Sequence, residues 1–190
     1  MIILIPLGGT GTRFKRNGYT EPKALIHVFG KPMIFWLLDS LLGIKDTIIL
    51  IPYNEEYAKY SFELLLKKHY PQLIFQFIPL KHNTRGAAET INISLNSLSI
   101  PDQPLLCLDG DNFYHFNIAL KWNKSNHVFC FEDLDNNPIY SYIDISKNSL
   151  FISNIAEKNK ISNYACTGAY GFASYYELIK FSKLIIDNNS

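Results

Sequence analysis

The sequence has almost no net charge. Its 190 residues include 18 lysines and arginines against 17 aspartates and glutamates, a formal net charge of +1. Nucleic acids and anionic membrane surfaces attract proteins chiefly through excess positive charge, so this balance argues against both as partners. The segment Arg13 to Arg16 is the one local support for nucleic-acid binding. Any phosphate chemistry must therefore use a few local charges.

Cysteines are also few, and no long hydrophobic run is present. Cys107, Cys130 and Cys166 are far apart and lie among apolar or aromatic neighbours, which excludes a disulfide framework or zinc knuckle and predicts buried thiols. The apolar start, residues 1–7, lacks a basic n-region and is too short for a signal peptide or a membrane span. We expect a buried strand there and a cytoplasmic protein.

Strand-like and helix-like segments alternate along the chain, and 47% of the residues are hydrophobic. This pattern predicts an α/β fold with three layers, a Rossmann-like, mixed and mostly parallel sheet flanked by helices. At this length one domain is the default. Asn54 is expected to cap a helix that carries Tyr57, Tyr60, Leu64 and Leu65 on one face. Strands are predicted at about 2–6, 47–51, 73–78, 105–108, 128–131, 139–145 and 165–172, and other helices at about 33–42, 86–95 and 175–186.

A glycine-rich loop, residues 7–14, follows the first strand. Glycines at the carboxyl edge of such a sheet let backbone N–H groups approach phosphate. The loop is not a Walker A motif, because no Lys-Ser or Lys-Thr closes it, and Phe14 replaces the third glycine of a dinucleotide fingerprint. The distinctive features are Arg13 two residues after Gly11, and Pro22-Lys23 further on.

Three segments together, 8–14, 21–26 and 30–34, resemble the N-terminus of the nucleotide-sugar pyrophosphorylases. The resemblance implies a nucleotidyltransferase that transfers a nucleoside monophosphate from a triphosphate to a phosphorylated acceptor, with sugar 1-phosphate the leading candidate, and releases pyrophosphate. Two alternatives stay open. One is cytidylyl transfer to a non-sugar phosphate such as phosphocholine, and the other is a nucleotide-binding domain without catalysis.

The resemblance also implies roles for individual residues. Arg13 would bind the triphosphate and stabilise departing pyrophosphate, and Lys23 would contact the phosphates at the reacting centre, a use of charge that suits phosphoryl-type transfer. The attacking phosphate oxygen is already anionic, so no general base is required. The implied nucleotide contacts are Leu7, Gly8, Gly9, Thr10, Gly11, Thr12, Gly86 and Asp109.

An acidic loop, residues 109–112, follows the short apolar strand at 105–108. A carboxylate at such a strand end is a natural ligand for Mg²⁺ that bridges phosphates, although an Asp-Gly turn alone is the simpler reading. The resemblance makes Asp111 the metal ligand and Mg²⁺ the cofactor. Asp109 departs from the family pattern and would be a second acid or a contact to the ribose.

The second half of the chain carries the expected acceptor side. Glu157-Lys158 and the small-residue segment 165–172 resemble the part of the family that holds the sugar phosphate, although Glu157 and Lys158 are also compatible with a simple surface ion pair. The expected acceptor contacts are Asn112, Tyr140, Glu157, Lys158 and Thr167.

Relatives in that family continue into a late strand with a second metal-binding aspartate, which this sequence does not contain. We therefore expect residues 1–190 to be a single nucleotidyltransferase domain that is truncated at its C-terminus or belongs to a longer protein. The expected partners are a nucleoside triphosphate and a small phosphorylated acceptor, and either a second copy or a further C-terminal domain.

Overall fold

A computed structural model describes residues 1–146 and 149–188. The described strands are β1 (Ile2–Leu4), β2 (His27–Val28), β3 (Lys31–Pro32), β4 (Ile48–Asn54), β5 (Ile74–Leu80), β6 (Leu105–Leu108), β7 (His127–Glu132), β8 (Ser141–Ile145), β9 (Ile152–Glu157) and β10 (Tyr164–Phe172). The described helices are α1 (Thr12–Arg16), α2 (Met33–Ser40), α3 (Phe62–His69), α4 (Ala87–Asn96), α5 (Ile118–Lys121) and α6 (Tyr175–Asn188), with 3-10 turns at Lys23–Leu25 and Glu55–Tyr60.

The main sheet is mixed, with the strand order β5-β4-β1-β6-β10-β8-β9, and β7 also pairs with β10. The four strands from β5 to β6 run parallel to one another. Strand β10 joins them antiparallel to β6, and β7, β8 and β9 continue in antiparallel pairs. The parallel part places the carboxyl ends of β1, β4, β5 and β6 along one edge, where open α/β sheets bind ligands.

Helices cover both faces of this sheet. One face buries Ile3 against Ile34 of α2 and Leu66 of α3. The opposite face buries Leu4 against α4 and α6, with Leu95 and Leu178 in the same cluster. Burial on both faces explains why β1 and β6 are apolar at every position instead of alternating. The three-layer α/β fold predicted from the sequence is confirmed.

Three local predictions were wrong. Asn54 caps no helix, because residues 55–60 form a 3-10 turn and α3 begins only at Phe62. Tyr60 and Leu64 are exposed, whereas Tyr57 is buried and Leu65 packs against the core, so the four residues do not share one apolar face. Cys107 and Cys166 are buried as expected, but Cys130 is exposed on β7.

Within the part of the chain that the structure describes, no helix combines the length and the apolar character that crossing a membrane requires.

Candidate active site

The glycine-rich loop continues β1 and is held by the neighbouring strand β4. The backbone N–H of Leu7 donates to the carbonyl of Pro52 at 2.8 Å. Beyond that point Nδ2 of Asn54 donates to the carbonyls of Gly8, at 2.8 Å, and Gly9, at 3.2 Å. Asn54 is 6% exposed, so this double hydrogen bond is buried at the start of the loop. It fixes which way the loop carbonyls point.

Gly8 also packs against helix α4. A Cβ atom at this position would lie 2.6 Å from Oγ1 of Thr90, a distance that no real side chain tolerates. Thr90 in turn donates to the carbonyl of Gly86, the residue before α4, at 3.2 Å. The glycine therefore permits close contact between the loop and the first turn of α4.

The middle of the loop presents free backbone donors. Among the residues described, no hydrogen bond uses the N–H groups of Gly9, Thr10 or Gly11. Gly11 has a φ of 62°, in the left-handed region that glycine adopts without strain. Consecutive free N–H groups in such a loop form a concavity that binds anions. These residues line a cavity of about 330 Å³.

Two cations reach the same cavity. Arg13 lies on α1, is exposed, and takes part in no ion pair within residues 1–146 and 149–188. Lys23 lies in the 3-10 turn at Lys23–Leu25 and pairs with the carboxylate of Asp111 across the cavity. The N–H of Ala24 donates to the hydroxyl of buried Tyr57 at 3.4 Å and so anchors that turn.

The acidic loop follows β6 and packs against the glycine-rich loop. A Cβ atom at Gly110 would collide with the side chain of Leu7, so this glycine also permits a close approach. The Asp111 side chain is 40% exposed at the cavity. Burial and the neighbouring charge of Asp111 raise the pKa of Asp109 to about 6, while Lys23 opposes the rise. The two carboxylates are therefore electrostatically coupled.

Strand β10 closes the other side of the acidic loop. The carbonyl of Thr167 accepts hydrogen bonds from Nδ2 of Asn112, at 2.8 Å, and from the hydroxyl of Tyr114, at 3.1 Å. The N–H of Asp109 donates to the carbonyl of Gly168 at 2.9 Å. Gly168 has a φ of 76°, and a Cβ there would clash with the side chains of Asp109 and Asn112. Thr167 and Asn112 therefore lie together beside Asp111.

The remaining acceptor candidates lie further along the antiparallel strands. Glu157 ends β9 and forms an ion pair with Lys158 at 3.4 Å, and both side chains are largely exposed. The N–H of Lys158 donates to the carbonyl of Tyr140 at 2.8 Å. A backbone hydrogen bond and an ion pair thus join Tyr140, Glu157 and Lys158 into a separate group. None of the three lines the cavity at the glycine-rich loop.

Some features of the site were not anticipated from the sequence. Gly86 is exposed at the start of α4 and does not line the cavity, whereas Tyr57 and Phe14 do. The sequence did not predict that Asn54 holds the carbonyls of the glycine-rich loop. The one sequence feature that pointed to it was a polar residue at the end of an otherwise apolar strand. The cavity is lined by Pro6, Leu7, Gly9, Thr10, Gly11, Thr12, Arg13, Phe14, Lys23, Ala24, Tyr57, Gly110 and Asp111.

Comparison with known protein families identifies the family to which this chain belongs. The family model described as Nucleotidyl transferase matches residues 2–185. The chain belongs to the nucleotidyl transferase family. That match spans both the glycine-rich loop and strand β10, so the segments that build the cavity all lie inside it.

Known proteins similar to this nucleotidyl transferase differ in their substrates. A mannose-1-phosphate guanyltransferase of Yarrowia lipolytica is 27% identical over 129 residues, which are 66% of this chain and 35% of that protein. A putative UTP-glucose-1-phosphate uridylyltransferase of Methanocaldococcus jannaschii is 24% identical over an alignment of 200 positions, which covers 88% of this chain and 70% of that one. The chain spans only about a third of the first of these relatives.

The fold of the nucleotidyl transferase is also found among solved structures. The crystal structure of a nucleoside-diphosphate-sugar pyrophosphorylase from Vibrio cholerae superposes with a TM-score of 0.82 at 22% sequence identity. The match covers 98% of this chain and 78% of that one. At this identity the likeness establishes the shared fold.

Proposed function

We propose that this domain transfers a nucleoside monophosphate from a nucleoside triphosphate to a sugar 1-phosphate and releases pyrophosphate. One observation carries the proposal. The free N–H groups of the glycine-rich loop, the unpaired Arg13 and the Lys23–Asp111 pair all line a single cavity. The names of the relatives, which act on mannose 1-phosphate and glucose 1-phosphate, support the acceptor class.

The cavity supplies what this chemistry needs. An oxygen of the acceptor phosphate attacks the α-phosphorus of the triphosphate, and the bond to the bridging oxygen of the leaving pyrophosphate breaks. Positioning and charge neutralisation dominate such a step, and no proton has to be removed from the attacking oxygen. The N–H groups of residues 9–11 would hold the phosphates. Arg13 would bind the departing pyrophosphate, and Lys23 would contact phosphate at the reacting centre.

The donor set at β6 suits Mg²⁺. This ion typically binds proteins through one or two carboxylates and completes its octahedron with substrate phosphates and water. Asp111 offers an accessible carboxylate at the cavity, and Asp109 lies beside it. Asp111 would hold the ion, with Asp109 as a neighbouring acid, and the ion would neutralise charge on the phosphates. Without ligands, Lys23 supplies the positive charge that Asp111 pairs with.

A second acceptor class is favoured by a specific feature. A pocket of about 390 Å³ adjoins Asp111 and is lined by Phe29, Trp36 and Phe113. The ring centroids of Trp36 and Phe113 are 5.9 Å apart. Aromatic faces suit a quaternary ammonium group, as in phosphocholine, and the ammonium of Lys31 already lies 3.7 Å from the centroid of the Trp36 ring. Profiling of acceptors separates the two classes, since turnover with sugar 1-phosphates alone eliminates this candidate.

The test is pyrophosphate release by the purified protein with Mg²⁺, each nucleoside triphosphate and a panel of phosphorylated acceptors. The proposal requires release with at least one triphosphate and sugar 1-phosphate pair, and its loss in Asp111→Ala. Nucleotide binding without release from any pair, in a protein that is folded by circular dichroism, would contradict transfer and leave a nucleotide-binding domain.

A further inference from the structure

A second cavity adjoins the glycine-rich loop. It measures about 320 Å³ and shares Thr10 with the cavity described above, so the two cavities are neighbours. One wall consists of Asn54 and Glu55 at the carboxyl end of β4. Beside it lies the polar segment after β5, residues 81–83, because β5 pairs with β4 in a register that places Leu80 next to Asn54. Lys15 and Glu56 also line this cavity. If the triphosphate lies on the loop, this second cavity is where its base would lie.

The wall from β4 carries two hydrogen-bond acceptors. Nδ2 of Asn54 donates to the carbonyls of both Gly8 and Gly9, which commits both amide hydrogens and leaves only Oδ1. No hydrogen bond in the described part of the chain uses that oxygen. Every fully buried side-chain nitrogen or oxygen described there has a partner, so Oδ1 is at least partly accessible, and Asn54 lines the cavity. The amide therefore presents an acceptor to the ligand.

Glu55 supplies the second acceptor. Its carboxylate enters no ion pair or hydrogen bond within residues 1–146 and 149–188, whereas the adjacent Glu56 pairs with Lys15 at 2.6 Å. The segment after β5 contributes side chains that can donate, those of Lys81, His82 and Asn83, which are all exposed. The cavity thus has two neighbouring acceptors at the end of β4 and groups that can donate beside them.

Among the common nucleobases, guanine matches a pair of neighbouring acceptors. Guanine has two neighbouring donors on its Watson–Crick edge, N1–H and the N2 amino group, followed by the acceptor O6. Cytosine and adenine have one donor atom on this edge, and uracil places its single donor between two acceptors. Resting on the proposed function, we infer that the domain selects a guanine nucleotide. Asn54 Oδ1 and Glu55 read N1–H and the amino group, and the 81–83 segment reads O6.

Inosine triphosphate tests this reading because it differs from GTP only by the missing N2 amino group. Dissociation constants for GTP, ITP, CTP and UTP with Mg²⁺ are measured by isothermal titration calorimetry, which requires no turnover. GTP is expected to bind most tightly and to exceed ITP by roughly 10- to 100-fold, the range for a hydrogen bond to a charged group. In Glu55→Ala the GTP-to-ITP ratio falls towards one, and Glu55→Gln, which keeps an acceptor, retains part of it.

Glu132→Ala on β7 removes the same charge far from β4 in the sheet order and leaves the GTP-to-ITP ratio unchanged. Tighter binding of CTP or UTP than of GTP, or equal binding of GTP and ITP by the unmodified protein, overturns the guanine assignment and leaves the proposed transfer intact. Absence of binding by all four triphosphates overturns both.

Discussion

The charge of Arg13 enters no ion pair within residues 1–146 and 149–188. The arginine lines the cavity at the glycine-rich loop, while Lys23 and Asp111 neutralise each other there. A guanidinium that is free before binding can give its planar fork to phosphate oxygens without first breaking an ion pair. Removal of the Arg13 side chain should therefore lower the rate of the reaction directly.

Arg13→Ala is expected to lower kcat/KM for pyrophosphate release by roughly 10²- to 10³-fold, the loss seen when one preorganised donor to developing charge is removed. Arg16→Ala is the matched control, since Arg16 belongs to the same helix but does not line the cavity. The control should stay within about twofold of the unmodified enzyme, as expected for a surface change. Equal effects of the two substitutions would contradict the role of Arg13.

Gly168 allows a second comparison between matched variants. Gly168 and Gly18 both have positive φ, at 76° and 87°, but only at Gly168 would a Cβ meet other side chains, those of Asp109 and Asn112. Gly168→Ala should lower the free energy of unfolding by about 1 to 3 kcal/mol more than Gly18→Ala, because overpacking adds to the shared backbone strain. Urea denaturation of both variants measures the difference. Equal losses in the free energy of unfolding would show that β10 accommodates the added methyl group without strain.

Helix α6 begins with a polar cluster that gives it a dependence on pH. The hydroxyl of Ser174 accepts from the N–H of Glu177 at 3.1 Å, and the carboxylate of Asp102 accepts from that hydroxyl at 2.6 Å and from the N–H of Tyr176 at 3.2 Å. Burial raises the pKa of Asp102, but the hydrogen bonds together lower it by more than burial raises it. The net pKa therefore lies below the usual value. The ionised carboxylate therefore stabilises the start of the helix.

The sign of the pH effect follows. A group whose pKa is lower when folded contributes stability above its unfolded pKa, about 3.9, and loses it as pH falls through the folded pKa. Asp102→Asn should cost about 0.3 to 1 kcal/mol at pH 7 and nothing once the carboxyl is protonated. Urea denaturation between pH 7 and pH 3 measures this. Glu132→Gln removes a charge at the end of strand β7 and should show no such convergence.

An element could be predicted when neighbouring residues in the sequence determine it, and not when distant residues do. Strand β6 was predicted at its observed bounds because four consecutive apolar residues lie between Pro104 and Asp109. The loop after β1 was recognised from glycine spacing alone. Strand β9 was missed because it is an edge strand with five exposed residues out of six, so burial leaves no pattern in its sequence. Asn54 was misassigned because its partners lie 45 and 46 residues away.

The whole molecule should respond to its nucleotide. The proposed site is assembled from the loops after β1 and β6, from α1 and from the two 3-10 turns, so binding requires the parallel part of the sheet to be intact. At a ligand concentration of 100 times Kd the folded state gains about 2.7 kcal/mol. For 190 residues this corresponds to an increase in Tm of roughly 5 to 11 °C. Differential scanning fluorimetry with the triphosphate and Mg²⁺ measures it, and a constant Tm at saturation would argue against this site.

The position of β10 has a consequence for biosynthesis. This strand lies in the middle of the sheet, beside β6, yet it spans residues 164–172 and is translated long after β6, which ends at Leu108. A nascent chain that has already assembled β5, β4, β1 and β6 therefore carries an open, wholly apolar edge on β6 until residue 172 has left the ribosome. Such edges recruit other chains. Translational pausing before that point should favour aggregation, and ribosome-bound chains that end just before Tyr164 should need chaperones most.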